Sequence, residues 1–226
     1  MRILYIDCKN GVSGDMVYGA LAQLLGEREA EVTAEIDELA LHEEGESGHC
    51  HSSYSHIRGV IEGSKISEGA KEKALSIYSV IAGAEARVHE TAVEDVHFHE
   101  VGRAAALKNI IGAAVCADAL CADKVLCSEI CDGEGFIECS HGTIPVPVPA
   151  VMAMRGNGNL VFVTDESVKT EMVTPSGLAI LIGLGAAYGP RPSGGVILQM
   201  AVAFGKRETG RKGGLEAFLI EDAGEE

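Results

Sequence analysis

The chain has 226 residues, nearly half of them apolar and none tryptophan, with 34 acidic against 18 basic side chains and a formal charge of −16. That length suits one domain with a sizeable aliphatic core or two small ones, and the acidic balance argues against nucleic acid or an anionic membrane surface as the main partner. No apolar run reaches the roughly 18 residues a membrane-spanning helix needs, and seven cysteines, an odd number with no CxxC zinc spacing and no secretory leader, point to the cytoplasm.

Residues 2–8, RILYIDC, read as a strand; the following GVSGDMVYGALAQLLG passes through a glycine turn into helical period, with Met16, Ala20, Leu21, Leu24 and Leu25 on one side. Residues 27–41 predict a short surface helix, and His42 to His56 a polar, His-rich loop. An amphipathic helix is expected within 64–90, carried by Ala70, Ala74, Ile77, Tyr78, Ile81, Ala82 and Glu85, with Ser67 and Glu68 as its start signal. A second helix spans about 103–120, followed by a strand over 124–130 and an extended stretch over 133–139. Pro145, Pro147 and Pro149 hold 144–149 near polyproline geometry before a helix over 150–154, and 160–164 reads as a strand. Thr174 as cap and Pro175 at the first helical position start the apolar helix LAILIGLGAA. A strand over 196–204 closes the set, with a loose tail from Ala223. Strands alternating with helices give the α/β (or α+β) class, a mixed sheet with helices packed on it and strand order undetermined.

Chemistry concentrates in a few places. His97, His99 and Glu100 put two imidazoles and a carboxylate within four residues. In an extended chain, side chains two apart share a face and stand about 7 Å from each other, close enough to converge on one ion. The other reading is that one imidazole packs and one caps a helix. His42, His49, Cys50, His51 and His56 form a second donor tract that suits borderline divalent ions, or else a solvated loop. Cys139 and His141 form a third pair. The turn after the first strand carries Asp7, Cys8, Gly11, Ser13, Gly14 and Asp15 at the carboxyl end of a sheet strand, where ligands bind in open α/β sheets. Its bare amides suit a phosphate, although its two aspartates oppose one unless a cation bridges; an ordinary tight turn is the alternative. Thr174 and Ser176 mark a further anion-binding helix start or a plain cap. No nucleophile elbow, P-loop or HExxH is present, so serine hydrolase, nucleotide kinase and zinc protease lack their required parts.

Four separated segments, ILYIDCKNGVSGDM at 3–16, VHFHEVG at 96–102, HGTIPVPVPA at 141–150 and EMVTPSG at 171–177, resemble the first domain of the LarC family of nickel insertion proteins. The resemblance implies a lyase-class insertion of nickel into a pyridinium mononucleotide bearing two thiocarboxylates, using CTP with Mn or Mg. It implies His97, His99 and Glu100 as metal ligands, beside which His49, His51, Cys139 and His141 are expected from their residue types as further donors. Asp7, Gly11, Ser13, Gly14, Asp15, Thr174 and Ser176 are implied to face the substrate. The chain departs from the family pattern at Ala105 and Asn109, where aspartates are usual, at Lys9-Asn10, and at Ala201 to Gly205, where a Gly-rich motif is usual. If the two missing carboxylates orient the histidines, each loss weakens metal binding by about 10- to 100-fold. The segment between Leu25 and His42 is short for the family. The expectation is a single domain over 1–226 without the family's second, smaller domain, working with a separately encoded partner subunit and compatible with homo-oligomers. A catalytically inactive nickel-binding or storage protein is the alternative, and unrelated small-molecule chemistry on the same fold a third.

Overall fold

The computed structural model describes residues 1–40, 52–98, 101–139, 142–156 and 159–222. In chain order its first elements are β1 (Arg2–Asp7), α1 (Gly14–Leu24), α2 (Glu29–Ala40), β2 (Ser52–Ser53), α3 (Tyr54–Gly63), α4 (Glu68–Val88), β3 (His97–Phe98) and α5 (Ala104–Leu120). They are followed by β4 (Lys124–Cys127), β5 (Ile130–Asp132), β6 (Gly135–Cys139), β7 (Gly142–Val146), α6 (Pro149–Met154), β8 (Phe162–Thr164), α7 (Pro175–Gly183), β9 (Ala187–Tyr188), β10 (Val196–Ala203) and β11 (Leu215–Glu221). The main sheet has the order β10-β11-β1-β4-β9. β1 runs antiparallel to β11 and parallel to β4, and β4 parallel to β9, so the sheet is mixed and the fold α/β, as expected.

β1 reads as an unbroken apolar run because both sheet faces are covered. Leu4 and Ile6 enter the main core under the helices, whereas Ile3 and Tyr5 join Leu126, Phe218 and Ile220 on the opposite face, where the Arg191 guanidinium lies 4.7 Å from the Phe218 ring centroid. α1 packs on β10 and β11, and α4, α5 and α7 build the layer behind it. All five apolar positions expected on the inner face of α1 are buried.

α4 begins as its sequence dictates. Ser67 accepts the Ala70 amide at 3.1 Å and donates to Asp118 at 2.6 Å, while Lys73 donates to the same carboxylate at 2.8 Å. Burial pushes the Asp118 pKa up, but the hydrogen bonds from Lys73 and Ser67 outweigh it and leave the carboxyl below its ordinary 3.8. The stabilisation is therefore present above pH 3.8 and disappears as pH falls through the lower folded value. Asp118→Asn should lower stability by about 1 kcal/mol at pH 6 and leave it nearly unchanged at pH 2, read as urea midpoints at the two pH values.

Four expectations change. The run LEAFLIE, outside every expected strand, forms β11, an interior strand of the sheet between β10 and β1; Glu216 and Glu221 mask its pattern, while Leu215, Ala217 and Leu219 face one layer and Phe218 and Ile220 the other. The strand expected over 124–130 is split: Ser128, 2% exposed, accepts the Cys8 amide on its hydroxyl at 2.8 Å, and β5 leaves to pair with β8 in a separate ribbon. The loop expected over His42 to His56 ends early, since β2 forms at Ser52–Ser53 and α3 starts at Tyr54. There Ser53 caps the His56 amide at 3.2 Å and Ile57 and Ile61, one turn apart, are fully buried. Residues 41–51 of that loop lie outside the described residues. Finally, 142–146 is not isolated polyproline but β7, paired with β6, with Pro145 opposite Phe136 in a two-stranded ribbon where a missing donor is tolerated.

Candidate functional site

Two helix starts that lie 160 residues apart in the sequence meet at the carboxyl end of β1. Val12 pairs with Val173 in a parallel bridge: the Val12 amide donates to the Met172 carbonyl at 2.9 Å, and the Thr174 amide to the Val12 carbonyl at 3.0 Å. Glycines permit this approach. Gly11 has φ +89°, and a Cβ there would lie 2.4 Å from the Met172 oxygen; a Cβ on Gly177 would lie 2.5 Å from the Val12 oxygen. Ser176 Oγ sits 2.7 Å from where a Gly14 Cβ would be, with the Asn109 Cβ 3.5 Å from that point.

The motif 171–177 is held from beneath by a residue the sequence did not single out. Asp132, wholly buried, accepts the amides of Gly133 at 2.9 Å, Met172 at 3.0 Å and Val173 at 3.2 Å, and Arg155 at 3.2 Å. Burial raises its carboxyl pKa against the opposing pull of those amides and Arg155.

At the junction lies a cavity of about 540 Å³, lined by Ser13, Asp15, Glu171 and Thr174 together with the β10–β11 loop from Phe204 to Arg211 and Gly213. Ser13 donates to Asp15 at 2.5 Å, the Met16 amide to the same carboxylate at 3.1 Å, and Thr174 Oγ1 accepts the Gly177 amide at 3.2 Å. A second cavity of about 400 Å³ adjoins it, sharing Glu171, Thr174 and Arg207. Val101, Ala106, Ile144, Val148 to Ala150, Pro175, Ser176 and Cys139 contribute to its walls, along with Glu85 and His89, which pair at 3.3 Å. All four motif segments therefore open onto two joined cavities.

Ser13, Gly14, Asp15, Thr174 and Ser176 are brought together, and Gly11 makes their approach possible. Asp7 is not among them. It shares the alternation of Ile3 and Tyr5, so it leaves β1 on the face away from α1. There it accepts Lys9 Nζ at 3.3 Å and the Ser128 hydroxyl at 3.3 Å, and it lines a separate cleft. Cys8 is a core thiol pushed well above its ordinary pKa by complete burial. Of the expected metal ligands, His97 is exposed on β3, across from Ser53, with Phe98 turned into the core. Cys139 is half-buried, its thiol 3.5 Å from the Gly142 carbonyl. His99, Glu100, His141, His49 and His51 lie outside the described residues. Among the described residues, no three His, Cys, Asp or Glu side chains are grouped to hold a metal ion.

The model of the family described as nickel insertion protein matches residues 4–47 and 36–226. The chain belongs to the nickel insertion protein family. It is 38% identical to a protein of Acetivibrio thermocellus over 97% of this chain and 60% of that one. It is 33% identical to one of Lactiplantibacillus plantarum over 98% and 62%, and 35% identical to one of Akkermansia muciniphila over 92% and 57%. Each of the three is named pyridinium-3,5-bisthiocarboxylic acid mononucleotide nickel insertion protein. The chain thus spans about 60% of the length of these relatives. No solved structure matches it. No helix among the described residues is long and apolar enough to cross a membrane. Within this family member, Asn109 stands beside the junction of Gly14 and Ser176, while Ala106 of the same helix lines the second cavity.

The sequence reading missed Asp132, Arg207 and the loop cations. One signal for the last was available: Lys206, Arg207, Arg211 and Lys212 put four of eighteen basic residues within seven positions of an acidic chain.

Proposed function

We propose that this chain carries out, or is the substrate-binding part of, nickel insertion into pyridinium-3,5-bisthiocarboxylic acid mononucleotide, which yields a nickel-pincer nucleotide. The observation that carries this reading is the convergence of all four family motifs on the two joined cavities. The substrate joins a cationic ring, a phosphate and two sulfur-bearing acids. Ser13, Thr174 and the amides of the α1 and α7 starts suit the anionic groups, and sulfur and imidazole suit nickel, which arrives as a substrate. His97, His99 and Glu100 are the proposed nickel donors, with Cys139 and His141, and the His49 and His51 tract, as feeding ligands. CTP with Mn or Mg is proposed as the activating co-substrate, and a separately encoded subunit as a partner. Family membership favours insertion over nickel storage. The cytoplasm is the proposed compartment, in keeping with the free thiols of Cys8, Cys116, Cys121, Cys127 and Cys131.

The test is incubation of the chain with nickel and the bisthiocarboxylate mononucleotide, with and without CTP and Mn or Mg, and with and without the remaining portion of a relative. Nickel-bound nucleotide detected by mass spectrometry in at least one arm is the expected result. Product in none of the arms rejects the reading.

A further inference from the structure

The larger of the two joined cavities is lined in part by a loop outside the four matched segments. Phe204 to Gly214 reads FGKRETGRKGG, with four basic residues against the single Glu208 in a chain of net charge −16. The loop is tied to the body at several points. Asn10 Nδ2 donates to the Gly214 carbonyl at 3.1 Å, and Gly205 lies against Met16 and Ser13 in the first turn of α1. Arg211 pairs with Asp165 at 3.2 Å and donates to Cys131 Sγ at 3.1 Å; Arg207 pairs with Glu171, itself 5% exposed, at 3.0 Å. Two cations are therefore spent on anchoring the loop. Lys206 lines the same cavity and has no hydrogen-bond or ion-pair partner among the described residues. Phe204, two residues before it, is 69% exposed and lines the same cavity.

The same cavity is lined by two carboxylates. Asp15 is held by the Ser13 hydroxyl and the Met16 amide, and Glu171 by Arg207. A cavity lined by an ammonium, an exposed aromatic side chain and carboxylates fits a ligand that is itself both cation and anion. A pyridinium ribotide has that pattern: an aromatic cation for Phe204 and a phosphate for Lys206.

We infer that the β10–β11 loop is the ligand-holding wall of the larger cavity, with Lys206 binding the phosphate of the mononucleotide and Phe204 stacking on its pyridinium ring. This rests on the function proposed above and adds the residues and the orientation. Both residues are binding groups; neither touches the metal in this arrangement.

Calorimetric titration of the full chain with pyridinium-3,5-bisthiocarboxylic acid mononucleotide and with its dephosphorylated riboside tests it. Lys206→Ala should weaken the mononucleotide about 10-fold and leave the riboside within about twofold, since the phosphate is the group it holds. Phe204→Ala should weaken both ligands by a similar factor. Lys212→Ala, in the same loop but outside the cavity lining, should change neither. Unchanged mononucleotide affinity in the Lys206 variant, or equal loss for both ligands, overturns the phosphate role; unchanged affinities in the Phe204 variant overturn the stacking role. If the wild-type chain forms nickel-bound product while the Lys206 variant binds as it does, the clamp fails and the function stands. If the wild-type chain binds neither ligand, both fall.

Discussion

Asp132→Ala should lower the unfolding free energy by about 3–5 kcal/mol, a large part of the stability of an ordinary domain. Urea unfolding followed by tyrosine fluorescence would read this, as the chain has no tryptophan. The loss does not measure how well the ionised carboxylate is solvated by its site. Burial raises the Asp132 pKa, so ionisation costs folding free energy at neutral pH, and that part of the balance worsens as pH rises through the ordinary carboxylate value toward the raised one. The cost of truncation comes from what is left behind. Three backbone amides lose their acceptor, and the half-buried Arg155, whose Nε has no hydrogen-bond partner among the described residues, loses its counter-charge. Asp132→Asn, which keeps an acceptor for the amides but faces Arg155 with donors, should fall between the two. A loss below about 1 kcal/mol for the alanine variant would show that this network does not hold the 171–177 segment.

Gly177→Ala should destabilise by about 1–3 kcal/mol even though alanine is the better helix former by about 1 kcal/mol. Its Cβ would lie 2.5 Å from the Val12 oxygen, 2.6 Å from the Ser13 Cα and 2.7 Å from the Ser13 nitrogen, all backbone atoms that no rotamer change can move. Either the α1 and α7 starts separate or the first turn deforms, so affinity for the proposed mononucleotide substrate should fall together with stability. Gly83→Ala supplies the control. Gly83 lies within α4, where an added methyl group would meet nothing within 4 Å, so the same substitution there should raise stability by about 1 kcal/mol. A neutral or stabilising Gly177→Ala, measured beside that control, would refute the close approach of the two helix starts.

Most helices were legible because their signals are local. Ser67 and Thr174 cap as their sequence indicates, Pro175 opens α7, and the apolar stripe of α1 faces inward at every position named from period alone. The glycine-flanked polar residues Ser13, Asp15, Thr174 and Ser176 were legible for the same reason, as was the likeness to a nickel insertion family. β11 was not, because a central strand of a mixed sheet buries both faces and its two glutamates look like a break in the pattern until β1 and β10 flank it. Nor was the direction of Asp7, which depends on which face of β1 the helices cover.

By itself the chain determined its class, its helix starts and the polar residues at its glycine turns, since caps, turns and periodicity act over a few residues. Only the tertiary structure decided which of them share a cavity: that Val12 lies against Val173, that Asp132 carries the segment between, and that Lys206 lines one cavity with Ser13. Those relations come from strand pairing and buried hydrogen bonds between segments separated by tens to hundreds of residues, and no local pattern encodes a partner at that distance.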